Sequence, residues 1–338
     1  MVSPRYTADY RKDELALICQ YAWRGESLCF VGVAGTGKSN IVRILRYSDE
    51  MKSQYLRDNV AGVLFPVVDA TTWDQTPRGL LGLLVNALDG VTAHLPPVPE
   101  PKVTALDDVE RTMRKLQTEL RWLCEHHDLR IMFILDDCDD LLRIGPLHML
   151  ERLNTLRSAH CREHLSYLLF TKKLPHMLGR AHHLEEKSKM YDLFKLNVFA
   201  LRLYKPDDTR QMLKHLNELA GHPLGRDALA RVGWLSGGHA RLTKVLFEEW
   251  VQYPPDTGDL VGYFSVLPTV MRECARLFHG LHAQEQVVAR RLARGSILNA
   301  DQLTIDHLIR RGLVTIGLDD KVTWFSPLCE NYLRTEKG

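Results

Sequence analysis

Along the chain, short unbroken apolar runs alternate with longer stretches in which apolar residues recur every three or four positions. Ser27–Val33 (Ser-Leu-Cys-Phe-Val-Gly-Val), Val63–Asp69, Arg130–Asp137 and Leu165–Phe170 are of the first kind. So is Asn197–Leu203, which closes the series. Strands buried on both faces of a parallel sheet read this way. Asn40–Tyr47 has apolar residues at i, i+1 and i+4, and Leu106–His126 and Pro146–Ser158 continue the helical pattern. These periodicities predict an α/β core with a parallel five-stranded sheet. Tyr6–Tyr21 reads as a lead-in followed by a helix. Thr92–Lys102, with Pro96, Pro97, Pro99 and Pro101, reads as a stiff surface loop.

Beyond the sheet pattern, Lys205-Pro206-Asp207-Asp208 starts a helix, and Ser236-Gly237-Gly238-His239-Ala240-Arg241 opens another that runs to about Trp250. Tyr253-Pro-Pro-Asp-Thr-Gly258 is the best domain boundary. After it come three helical patterns, Thr269–Leu281, Gln284–Arg294 and Asp301–Arg311, the last ended by Gly312. Leu313–Gly317 and Val322–Ser326, joined by a turn holding Asp319 and Asp320, then read as a hairpin. Three helices and a hairpin predict a winged helix. The expected domains are residues 1–204 (core), 205–258 (a helical segment) and 259–338 (winged helix).

Composition narrows the class. The chain has 338 residues, 45% hydrophobic and 25% charged, which excludes disorder, collagen and disulfide-scaffold readings. Lys+Arg 44 against Asp+Glu 42 leaves +2, which argues against coating nucleic acid by bulk charge. The longest apolar stretches, such as Gly62–Val68 and Ile131–Leu135, fall far short of the ~20 residues a spanning helix needs. No membrane partner is expected. The N-terminus has no apolar signal core, and seven scattered cysteines without a Cys-x-x-Cys fit a reducing cytoplasm. His160, Cys161 and His164 invite a metal reading, but no second ligand pair stands at zinc-like spacing, and a solvated helix end is expected instead.

The chemistry concentrates in Gly32-Val33-Ala34-Gly35-Thr36-Gly37-Lys38-Ser39, which matches G-x-x-x-x-G-K-[ST] at every fixed position. A predicted strand precedes it and a helix, from Asn40, follows. Glycines allow the tight turn that offers backbone N–H groups to phosphate oxygens. The helix start turns its positive end to the same anion. Lys38 neutralises the β/γ-phosphates, and the Ser39 hydroxyl ligates Mg. Arg130–Asp137 (Arg-Ile-Met-Phe-Ile-Leu-Asp-Asp) is a Walker B pattern. Asp136 holds Mg through water, and Asp137 orients or deprotonates the attacking water. Asp139 and Asp140 read as a helix cap of solvated acids. A GTPase would carry Asp-x-x-Gly after this strand and Asn-Lys-x-Asp after a later one. The chain has Asp136-Asp-Cys-Asp139 and Thr171-Lys172-Lys173-Leu174, so the expected nucleotide is ATP.

With an extra strand held in the chain between these two motifs, the sequence resembles the AAA+/STAND P-loop ATPases related to origin-initiator ATPases. The resemblance implies a sensor 1 role for Thr171, whose bland reading is a strand-end hydroxyl. It implies a lid from Lys205 onward. It also implies that Arg241 senses the γ-phosphate, although Ala240 stands where Pro is frequent; a surface helix Arg is the alternative. It places the trans-acting arginine finger before the fifth strand, where Arg180 lies with Lys187 and Lys189 nearby and no motif selects among them. Tyr6 or Tyr10 would pack over the adenine or serve as a core aromatic. Phe325–Arg334 is similar to the end of winged helices appended to STAND-type ATPases.

The winged helix itself is nearly neutral: from Leu267 to Gly338 there are ten basic and eight acidic residues. Its recognition-helix position, Asp301–Arg311, carries bases only at its end, whereas major-groove reading wants Arg, Lys, Asn or Gln along that helix. The expectation is therefore an ATP-hydrolysing switch whose nucleotide state, ATP or ADP, controls homo-oligomerisation and engagement of a protein effector, as in signalling or defence. The alternative is a DNA-associated ATPase, initiator-like or selecting transposition targets, with duplex binding through Arg310 and Arg311.

Overall fold

In a computed structural model, residues 6–7, 9–96, 107–157, 161–316 and 322–336 are described. The Pro97–Lys102 part of the proline-rich loop, His160, the Asp319–Asp320 turn, Lys321 and Lys337 lie outside them. The main sheet contains β1 (Leu28–Val31), β2 (Val63–Leu64), β3 (Val67–Asp69), β4 (Arg130–Asp136), β5 (Leu165–Thr171) and β6 (Val198–Ala200). Its order is β2-β4-β5-β1-β6, with β3 also on β4. Pairing is parallel between β1 and β5, β4 and β5, and β4 and both β2 and β3.

Three details differ from the sequence reading. The apolar run 63–69 is not one strand, because Pro66 has no N–H to give the ladder. β2 stops before it and β3 resumes after it, while the Pro66 carbonyl still accepts from Ile134 N at 2.9 Å. The strand from this segment also lies outside β4; β5 is the one that sits between β1 and β4. β6 is shorter than the run that announced it, ending at Ala200.

Contacts divide the chain into two compact units. One comprises Asp13–Val31 and Ser39–Phe199. All seven residues of its central strand β5 are buried, as are Ile131–Leu135 of β4. Burying each large apolar side chain there contributes about 1.5–3 kcal/mol. The helices Pro77–Thr92 and Asp108–His126 pack on each other over this core, each started by a side-chain cap, Thr76 to Gly79 N and Asp107 to Glu110 N.

The other unit comprises Met1–Lys12, Gly32–Lys38 and Ala200–Gly338. Helices Pro206–Leu219, Arg226–Ser236 and Ala240–Gln252 are followed by Pro268–His279, Ala283–Ala293 and Gln302–Arg310. The antiparallel pair β7 (Val314–Ile316) and β8 (Val322–Trp324) and a final helix, Pro327–Thr335, complete a winged helix. One apolar cluster, including Leu235, Leu246, Phe264, Val288 and Leu308, runs through this whole unit. The Ser326 hydroxyl donates to Leu235 O at 2.6 Å. Arg311, expected on a DNA-facing surface, is 6% exposed and pairs with buried Glu285 at 2.6 Å. Among the described residues no helix is long and apolar enough to cross a membrane.

Candidate nucleotide-binding site

The phosphate loop leaves β1 after Val31 and enters the helix Lys38–Tyr47. Gly35 and Gly37 have φ of +86° and +93°, which side chains with a Cβ rarely adopt. The Thr36 hydroxyl donates to Val33 O at 3.1 Å and closes the turn. Lys38 opens the helix, largely buried; Ser39 is exposed, and the Asn40 side chain accepts from Arg43 Nη2 at 2.9 Å. The helix has no acid in its first turn, so nothing there opposes an anion.

The loop's carbonyls are held within its own unit by the side chains of Arg11 and His239, to which the sequence assigns no role, and by the backbone N–H of Arg241. His239 is fully buried. Its Nδ1 accepts from Leu242 N at 3.1 Å, capping the helix Ala240–Gln252, and its Nε2–H donates to Ala34 O at 2.8 Å. Both ring nitrogens are used in the neutral tautomer, and burial pushes the imidazole down to about 4. Two residues on, Arg241 N donates to Gly35 O at 3.1 Å. A Cβ on Gly35 would lie 2.7 Å from His239 Cε1, and one on Gly37 would lie 2.3 Å from the Tyr204 hydroxyl. Glycine is therefore required at both places by contact as well as by φ.

Arg11, 1% exposed, is the other anchor. Its guanidinium donates to Thr36 O and, at 2.9 Å, to Arg202 O, lying 4.5 Å from the centre of the Tyr204 ring. Asp208 accepts from Arg11 N at 2.9 Å. The partners of Arg11 and His239 are mostly backbone carbonyls, which leave no trace in sequence; the one signal was the Gly-Gly-His stretch that flagged Arg241. Tyr10 is fully buried, stacked on Tyr6 at 4.0 Å and hydrogen-bonded to Tyr204, so it is a core aromatic. Tyr6 keeps an accessible face.

The sheet edge is formed in the other unit. Parallel register brings the C-terminal ends of β1, β5, β4 and β3 to one side, pairing Val31 with Thr171 and Asp136 with Asp69. Asp137 follows at φ +50°, a left-handed conformation that aspartate tolerates, and pairs with Lys172 Nζ at 3.4 Å. Thr171 is fully buried, its hydroxyl 3.6 Å from Cys29 Sγ on β1. Asp139 is not the cap that the sequence suggests. Cys138 holds that position with its thiol turned to Phe170 O (3.5 Å) rather than to the helix start, and the Asp139 carboxylate instead accepts from Lys172 N (2.9 Å) and Lys173 N (3.3 Å). It ties the turn after Asp137 to the turn after Thr171. Asp140 is exposed and pairs with Arg143.

Arg180 sits exposed in the short turn Gly179–His182. Residues 161–164 form a turn rather than a helix end; Cys161 is buried and His164 pairs with Asp128 at 3.0 Å. Among the described residues no three His, Cys, Asp or Glu side chains group as a metal site. Magnesium takes few protein oxygens and keeps phosphate and water ligands, so the Ser39 hydroxyl and Asp136 carboxylate are a donor set that suits it.

No family model and no curated protein matches the chain. Its fold is nonetheless found among solved structures. A Walker-type ATPase of Pyrococcus abyssi superposes with a TM-score of 0.58 at 13% identity, over 96% of this chain and 95% of that one. The ADP form of the Aeropyrum pernix ORC2 protein gives 0.51 at 15% identity, over 96% and 93%. With the sheet order and the C-terminal winged helix, these likenesses give the chain the fold of the P-loop AAA+ ATPases related to origin initiators.

Proposed function

We propose that the chain binds ATP with magnesium, hydrolyses it, and acts as a nucleotide-state switch of the initiator-like kind. The observation that carries the reading is the grip of one lid helix on the phosphate loop, through His239 on Ala34 O and Arg241 N on Gly35 O. A loop that rearranges around phosphate must move, or be resisted by, that helix. Nucleotide state is thereby coupled to the helix and to the winged helix that shares its apolar core.

In this reading the amides of Gly32–Lys38 cradle the phosphates and Lys38 neutralises the β/γ oxygens. Ser39 and Asp136 would hold magnesium, which supplies positive charge against the developing negative charge of phosphoryl transfer. Asp137 takes the proton of the water that attacks the γ-phosphorus, leaving ADP and phosphate. Thr171 polarises the same region, Arg241 reads the γ-phosphate, and Arg180 serves a neighbouring copy as arginine finger. Domain limits at 204 and 258 belong to the same proposal. The test is size-exclusion of the protein with a non-hydrolysable ATP analogue and with ADP. A shift to a larger species with the analogue alone supports the switch; identical monomer profiles sink its assembly part.

A second reading is association with duplex DNA, for which exposed Arg310 is the candidate contact; the ORC2 likeness, to an ADP form, supports the nucleotide part alone. The signalling reading, with a protein effector and STAND-type logic, has no likeness behind it either. Duplex binding that weakens steeply with salt, and more weakly after Arg310→Ala, would favour the DNA reading. Its absence would favour the effector.

A further inference from the structure

Arg241 has an acidic neighbour that the nucleotide reading leaves unused. Glu273, in the helix Pro268–His279, has a side chain only 5% exposed, and two arginines face it. Arg276 Nη1 donates to Oε2 at 3.1 Å. Arg241 Nη1 stands 3.8 Å from Oε1, and that oxygen is buried without a hydrogen-bond partner among the described residues. Arg241 itself is 43% exposed. Burial pushes the Glu273 carboxyl up, while the Arg241 and Arg276 charges pull it down.

A carboxylate taken out of water is costly unless its charge and lone pairs are met. Arg276 meets one oxygen. The other points at Arg241, at a separation where a small swing of the guanidinium would complete a charge-assisted hydrogen bond. The two arginines are not equivalent. Arg276 is on Glu273's own helix, one turn away, and stays with it whatever the lid does. Arg241 begins the neighbouring helix, beside the loop carbonyl that its own N–H holds. Arg241 can leave without stranding Glu273, because Arg276 remains.

We propose that Glu273 is a positioning residue for Arg241: an internal anion that anchors the guanidinium until the γ-phosphate of ATP, a stronger anion, draws it away. This rests on Arg241 being the γ-phosphate sensor. Glu273 then sets how strongly the protein prefers ATP over ADP. ADP has no γ-phosphate and leaves Arg241 on its anchor, whereas ATP binding includes breaking the contact.

The test measures affinities for a non-hydrolysable ATP analogue and for ADP, both with magnesium, by calorimetry on the whole chain. Glu273→Gln keeps an acceptor for Arg276 but removes the charge. It should tighten the analogue about three- to tenfold, the range expected for one partly exposed ion pair, and leave ADP unchanged. Arg276→Ala should do the reverse, because Glu273 then has Arg241 alone and grips it harder; damage to the fold would move both variants, and both nucleotides, the same way. On an Arg241→Ala background, Glu273→Gln should have no effect. An unchanged analogue-to-ADP ratio in Glu273→Gln overturns the anchor if Arg241→Ala lowers that ratio. If Arg241→Ala leaves the ratio untouched, the sensor assignment falls first and takes the anchor with it.

Discussion

His239 Nε2 lies 2.8 Å from the carbonyl oxygen of Ala34, so a side chain that caps the helix Ala240–Gln252 also holds the middle of the phosphate loop. The contact needs the neutral ring. Protonation would place a proton on Nδ1, where Leu242 N–H already points. The imidazole is held at about 4 against an ordinary 6.5, so between those values the unfolded chain binds the proton and the folded chain does not. Stability is therefore at its plateau above pH 6.5 and falls as pH drops towards 4, by on the order of 3 kcal/mol. Denaturant melts across that range check it. His239→Asn, which can still cap the helix and donate an amide N–H, should flatten the slope; an unchanged slope would place the titration elsewhere.

Lys38→Ala should abolish ATP binding or hydrolysis, read by calorimetry and phosphate release. Asp137→Asn should leave binding within about twofold and slow hydrolysis by about 10²-fold or more, the usual contribution of a positioned base. Normal hydrolysis by Lys38→Ala would show that the nucleotide site is misassigned.

Asp139 offers a subtler case. Its carboxylate bonds the backbone N–H groups of Lys172 and Lys173, fixing the turn that carries the Lys172 side chain to Asp137. Asp139→Ala should cost about 1–3 kcal/mol for the lost charge-assisted bonds. It should lower kcat while leaving the affinity for ATP near its original value. A fall in affinity with kcat unchanged would mean that the turn serves binding rather than catalysis.

The parts of this molecule legible in sequence are those where chemistry fixes both residue type and spacing. The glycines of the phosphate loop, the apolar run ending at Asp136 and the strand ending at Thr171 stand where their patterns put them, because a buried parallel strand and a left-handed glycine each leave few alternatives. Contacts across long separations were not legible. Arg11 and His239 act on backbone carbonyls, and any residue can supply one. Asp139 resembles a cap because a cap and a tether use the same carboxylate, and only the position of the turn at Lys172 tells them apart. Pro66 was visible, but its consequence depended on which strand received its carbonyl.

Arg311 marks the difference between a basic residue and a basic surface. It lies with Glu285 at 2.6 Å inside the winged helix, and His307 Nδ1 reaches the same carboxylate at 2.9 Å. Burial pushes the Glu285 carboxyl up, but the His307 hydrogen bond and the Arg311 charge outweigh it and hold the group at about 2. Since the unfolded carboxyl titrates near 4.5, its contribution is whole above that pH and is lost as pH falls through 2, a window below that of His239. Arg311→Ala leaves Glu285 buried with His307 as its remaining partner and should destabilise the chain by about 3–5 kcal/mol. Arg310→Ala, at an exposed position, should change stability by less than about 0.5 kcal/mol. If the chain binds duplex DNA, only Arg310→Ala should lower the salt slope while the melting temperature holds. A drop in that slope for Arg311→Ala at unchanged melting temperature would mean that Arg311 reaches phosphate after all.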